Sequence, residues 1–282
     1  MEPMFAEEDY LMVRSSVEIL LNHGCVATRN YLLNKRSKSS LLHSASSFME
    51  FLSSLLTLDE NHINEAIESL KETQRFCLMQ RNVLKQEKCA SDDLRLLMNE
   101  IFSTDAELYI AILSVLKQGL KDYIKAAFLI RKSWKQYKRN YEKILQIGGS
   151  FLNANSEHQS SNLTQDGSDV TSGEESRTDE VLSCSNTESK TVQSHALKEV
   201  QAAIAFGYGL FNLVVSLTPP KVLQLAQFFG FRGDQELGLS CLTYVCSSQD
   251  VRAELSRLGL LWFHSIIRPM YAFDDYDVEC GN

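Results

Sequence analysis

Apolar residues recur at spacings of three and four along most of this chain, the period of a helix with one buried face. Residues 7–22 carry Leu11, Val13, Val17, Ile19, Leu20 and Leu21 in this way, Gly24 is a natural stop, and a short helix over 26–33 is expected next. After the polar break Ser37-Lys-Ser-Ser40, residues 41–58 place Leu41, Ala45, Phe48, Phe51, Leu52 and Leu55 on one face. The turn at 59–61 leads into a helix over 62–84. Ser91 with Asp92 and Asp93 predicts a capped helix over 94–102, since acidic residues suit a first turn. Thr104-Asp-Ala-Glu107 reads as a capping box that opens another helix to about residue 117, with Gly119 beyond its end. A long helix over 121–146 closes at Gly148-Gly149.

The pattern resumes with a helix over 192–217. Pro219-Pro220 starts another that ends at Gly230, and two more follow over 235–246 and 251–270, the last capped by Ser248 or Asp250. No strand-like alternation of useful length occurs. About ten helices in antiparallel pairs with short connections predict an all-α fold of the solenoid type. The charge-free stretch 200–220 requires a membrane test. Its helical part before the prolines is ~17 residues, or ~26 Å at 1.5 Å per residue, short of the ~30 Å of a bilayer core. A helix buried on all sides is the expectation.

Between the two helical runs the pattern stops. Residues 150–189 hold ten Ser, four Thr, eight acids and one base, Arg177. So polar a segment cannot bury enough apolar surface to offset its ordering entropy. The expected organisation is a helical array over 1–149, a disordered acidic linker over 150–190, and a helical segment over 191–282 that packs on the first. Of the net charge of -8, the linker carries -7, so the remainder is nearly neutral and a general affinity for nucleic acid is not expected. The seven cysteines form no C-x-x-C pair, and the acidic N-terminus lacks the features of a signal peptide; free thiols in the cytoplasm are expected.

Several segments after the linker carry a resemblance. They are Ala203-Ile-Ala-Phe-Gly207-Tyr-Gly209-Leu-Phe211, then Leu217-Thr-Pro219-Pro220, then Phe228-Phe-Gly230-Phe231-Arg-Gly233-Asp234 with Gly238. A glycine-containing helix, a proline-started helix and a G-F-x-G turn in this order resemble the tetratricopeptide repeat protein 39 / inclusion body clearance family. The segments from Ala106 to Leu113 and from Ile124 to Tyr137 look like that family's helices in the same order, so the likeness spans about residues 41–268. It implies a tetratricopeptide-like α-α superhelix, no catalysis, and a scaffold or adaptor that binds peptides or partner helices. It also implies a setting in ciliary biology or in lipid or protein homeostasis. The chain is expected to be a short form of such a protein, with an end face that a further repeat would cover.

The helix over 121–146 holds the main interaction candidates. Tyr123, Ala127, Ile130, Trp134, Tyr137, Tyr141 and Ile144 define one packing stripe, and Lys125, Lys132, Lys135, Arg139 and Lys143 fall on the opposite side. From Lys117 to Lys143 there are nine bases and two acids. The face is either a solvated side of a core helix, a dock for an acidic partner or anionic membrane, or a calmodulin-type target. The acidic linker begins close by and is expected to be drawn to it, so that deleting 150–189 strengthens binding of acidic ligands at low salt. Ser172, Ser176 and Ser185 each stand three residues before an acid and are candidate phosphorylation sites. Catalytic candidates are poor: the six histidines are scattered, His264 reads as a packed core residue, and Gly207-Tyr-Gly209 reads as a close helix approach rather than a nucleotide loop. No cofactor or metal is expected, and proteins are the expected partners.

Overall fold

A computed structural model describes residues 4–33, 39–87, 92–117, 119–148, 184–216 and 233–269, with the backbone alone over 184–194. Eight α-helices and no strand occur among the described residues: α1 Glu7–Leu33, α2 Ser40–Thr57, α3 Glu60–Glu87, α4 Asp92–Leu116, α5 Leu120–Gly148, α6 Cys184–Ser216, α7 Gln235–Cys246 and α8 Ala253–Trp262. A π-helical turn, Phe263–Ile267, continues α8. Each helix packs on the next. In addition α2 reaches α4, and α4 reaches α6, so that alternate helices share an inner layer. The fold is an all-α, tetratricopeptide-like superhelix.

Local chemistry sets the helix ends. Ser39 caps α2 by accepting a hydrogen bond from the Leu42 amide at 3.3 Å, and Leu58 closes it in the left-handed region at φ 52°. Asp59 Oδ1 accepts from the amides of Asn61 and His62, both at 3.0 Å, and so starts α3. Asp234 Oδ1 caps α7 by accepting from the Leu237 amide at 2.9 Å. Asp250 Oδ1 accepts from the Arg252 amide at 2.9 Å before α8. Gly24 interrupts α1 with φ 80°, where a side chain would be strained.

Four sequence expectations need correction. The helices expected over 94–102 and 104–117 are one continuous helix, α4. Thr104 does not cap; its hydroxyl donates to the Glu100 carbonyl at 2.7 Å, inside the turn. Helical backbone begins at Cys184, inside the stretch expected to be a linker. On α5 the buried line is Ala126, Ser133, Tyr137, Asn140 and Ile144, and Tyr123 is exposed. His264 is exposed as well; its neighbour Phe263, at the start of the π turn, is the buried residue there. The expected helix over 219–230 lies outside the described residues.

Two apolar clusters hold the array. The smaller joins α2, α3 and α4 through Phe51, Ile63, Ile67, Leu70, Tyr109 and Leu113, with the Phe51 and Tyr109 rings stacked at 4.5 Å. The larger runs from α1 through α4 and α5 into α6, α7 and the π turn, so both helical runs contribute to one core. At its centre is α6, where Val200, Ala202 to Phe206, Tyr208, Phe211 and Leu213 are all buried. Residues 195–216 are long and apolar enough to span a bilayer, yet 83% of their most apolar 18-residue stretch is buried inside the protein.

Candidate functional site

The glycines of α6 bring three layers close together. At Gly209 a Cβ would stand 2.9 Å from Cys241 Cβ and 3.1 Å from the Gly238 carbonyl, so α6 and α7 cross backbone to backbone. At Gly207 it would stand 2.5 Å from Asp105 Oδ1 and 2.9 Å from the Tyr137 hydroxyl. The close approach read from Gly207-Tyr-Gly209 is therefore what these residues do. It places α6 against a polar pair in the interior of α4 and α5.

Asp105 of that pair lies at the floor of a cleft, beside Arg252. Tyr137 donates its hydroxyl to Asp105 Oδ1 at 2.5 Å. Burial pushes the Asp105 carboxyl up to about 6, against the Tyr137 hydrogen bond and the Arg252 charge, which both lower it. The Arg252 guanidinium donates from one nitrogen to both Asp250 oxygens, at 2.9 and 3.2 Å, and lies 5.5 Å over the Phe102 ring. Burial lowers its pKa, but Asp250 and Asp105 outweigh that and raise it. Next to this group, burial raises the Glu199 carboxyl, which meets the Tyr10 hydroxyl and feels Asp250. Of these groups only Asp105 and Arg252 line the cleft, one acid beside one base.

The walls above are apolar. Val13 and Val17 come from α1, Ala45, Phe48 and Met49 from α2, and Phe206 from α6. Val251 and Leu255 flank Arg252 on the last side. The cleft is narrow, with about 50 Å³ of free space, and is partly open to solvent. Apolar walls with a few convergent polar groups are the usual make-up of a binding cleft. A second depression, wide open, runs along α2 and α3 and is lined by Glu50, Glu65, Glu68 and Glu72 with Arg29.

The basic residues of α5 divide into two groups. Lys132 pairs with Glu107 of α4, and Arg139 and Lys143 both reach Glu100 of α4. Lys125 acts on Glu68 of α3 at longer range. Lys135 is exposed, and no carboxylate among the described residues pairs with it. The face is thus partly committed to the fold. Ser172 and Ser176 lie outside the described residues, and Ser185 is in the first turn of α6, where only backbone is described. Sequence reasoning did not single out Asp105 or Arg252. The available signal was Asp105 itself, an acid flanked on its own helix face by Ile101, Phe102, Leu108 and Tyr109.

Among the described residues no group of three or more His, Cys, Asp or Glu is placed to hold a metal ion. The thiols of Cys77 and Cys241 are buried and pushed up to about 12, by burial first, as packed apolar groups would be. A family model described as Iml2/Tetratricopeptide repeat protein 39 matches residues 14–281. No solved structure matches the chain.

Proposed function

The chain belongs to the Iml2/tetratricopeptide repeat protein 39 family, and from that premise we propose that it is a non-catalytic scaffold or adaptor whose cleft receives a segment of a partner protein. Repeats of this type mediate protein interactions. The observation that carries the reading is the cleft where α1, α2, α4, α6 and α8 meet over Asp105 and Arg252. Its mostly apolar walls suit an apolar side chain of that segment. The setting we propose is cytoplasmic, in protein or lipid homeostasis or at cilia.

Filling the cleft tests this. Ala45→Trp places an indole on the cleft wall, in a space that holds far less than a Trp side chain. In quantitative proximity labelling, the proteins held by the cleft should fall at least fivefold in the variant while its helical circular dichroism is kept. An unchanged set of labelled proteins in the folded variant would remove the cleft from the function.

One observation favours a second reading. On the first half of α5, Tyr123, Ile124 and Phe128 are exposed among Lys121, Lys125 and Arg131. Apolar and basic side chains mixed on one exposed helix face suit the surface of an anionic membrane. Sedimentation with vesicles containing phosphatidylserine, compared between the protein and its Phe128→Ser variant, tests it.

A further inference from the structure

On another side of α4, away from the cleft, a single buried acid is shared by three bases. Glu100 is 8% exposed in its side chain. Oε1 accepts from Arg139 and from the Gln136 amide. Oε2 stands 3.6 Å from Lys143 Nζ and 4.0 Å from Arg81 of α3. The bases overcome the burial that would otherwise raise the carboxyl, and its pKa is lowered. One negative charge therefore faces three positive ones, and the junction of α3, α4 and α5 holds a surplus of +2.

The surplus is reachable. The side chains of Arg139 and Lys143 are 56% and 46% exposed, and that of Arg81 is 24% exposed. Lys135, unpaired among the described residues, is one turn from Arg139 on the same helix. The junction also holds donors in excess of acceptors. Arg81 Nε and Asn140 Nδ2 are buried without a hydrogen-bond partner, and Gln136 Nε2 links Asn140 Oδ1, at 3.4 Å, to Glu100. A site with two guanidinium groups, one ammonium group and spare N–H donors calls for an oxyanion of charge near -2 with several acceptor oxygens. A phosphate monoester has that charge and three such oxygens. A carboxylate would supply one charge, which Glu100 already does.

We propose that Arg81, Arg139 and Lys143 form a binding site for a phosphate monoester carried on an acidic peptide, with Glu100 as the positioning residue that holds the three bases together. Glu100 orders the long side chains before the ligand arrives, so less entropy is lost on binding. The site is independent of the cleft, and neither reading depends on the other.

The test uses the full chain and three probes: a peptide copying residues 172–179 with phosphoserine at position 172, the same peptide without phosphate, and inorganic phosphate. Isothermal titration at low salt should show the phosphopeptide binding at least tenfold more tightly than the unphosphorylated peptide. Inorganic phosphate at millimolar concentration should displace it if the phosphate is read directly. The variant Arg139→Gln/Lys143→Gln should weaken the phosphopeptide at least tenfold, whereas Lys121→Gln/Lys125→Gln, with the same charge loss on the same helix, should change it less than twofold. Equal affinity for the two peptides would overturn the proposal. So would equal losses in the two double variants, because that is nonspecific attraction to a basic helix. If the first double variant melts early, Lys143→Gln alone gives the same comparison, with a loss of threefold or more expected.

Discussion

Gly207 shows how much one hydrogen atom decides in this interior. A methyl group there would overlap the Asp105 carboxylate and the Tyr137 ring, at 2.5 and 2.8 Å. Neither neighbour is free to move, since they hydrogen-bond to each other in the core. We expect Gly207→Ala to cost about 1–3 kcal/mol, the usual range for overpacking, measured by urea unfolding. Asp105 has a pH signature. Burial holds its carboxyl near 6, against 3.8 in the unfolded chain. The folded state therefore binds this proton more tightly, so the contribution of Asp105 to stability is most favourable below pH 3.8. It declines as pH rises from 3.8 to 6 and stays low above that. Asp105→Asn keeps an acceptor for Tyr137 and removes the buried charge. At pH 8 it should be more stable than the parent by about 3 kcal/mol, at 1.36 kcal/mol per pKa unit, and at pH 3.5 the two should unfold alike. A variant less stable at pH 8 would mean that Arg252 depends on the Asp105 charge more than burial opposes it. None of this was legible in the sequence, where Asp105 stood inside a capping box. A buried acid differs from a capping one only by its neighbours in space.

At the scale of elements, much more was legible. The helices α2, α3, α5 and α7 lie close to where periodicity and turn residues put them, because each has one apolar face and a polar start. Errors occurred where two signals competed. Thr104 and Glu107 matched a capping box, but apolar residues on both sides kept the helix running, and α4 remains continuous. On α5 the aromatic residues suggested the buried stripe, while the observed line includes Ser133 and Asn140 and rotates Tyr123 outward. The rotation follows from the partner helix, whose acids Glu100 and Glu107 need bases from α5. A single chain of helical spacings does not show which face the neighbour's charges will demand. These pairs should help to hold α5 on α4. Glu100→Ala removes the acceptor for Arg139 and Gln136 and leaves three bases facing one another. We expect a cost of about 2 kcal/mol, within the range for charged hydrogen bonds. Hydrogen exchange should show faster opening of α5 than of α2; uniform protection in both helices would count against this role.

At the scale of the molecule, the two helical runs are one structure. Both contribute to the larger core, and α6 packs on α4, α5 and α7. The expectation that the two halves pack together rests on family-like helices on both sides of the linker; the close approach itself has a physical cause, since only small residues allow α6 to sit so near its neighbours. The cleft exists because of this union. Its α1, α2 and α4 walls come from before residue 117, and its α6 and α8 walls come from after residue 195. No local motif could have shown it. The central claim is that this cleft holds a segment of another protein. The most direct measurement places a photo-crosslinking phenylalanine analogue at Ser44, on the cleft wall, and at exposed Glu18 of α1 as a control. Irradiation in cells should join Ser44 to a small set of proteins, and the attached peptide should carry an apolar residue at the junction. Ala45→Trp should abolish those products. If Ser44 gives the same products as Glu18, or if the products survive Ala45→Trp, the cleft is not the site of binding.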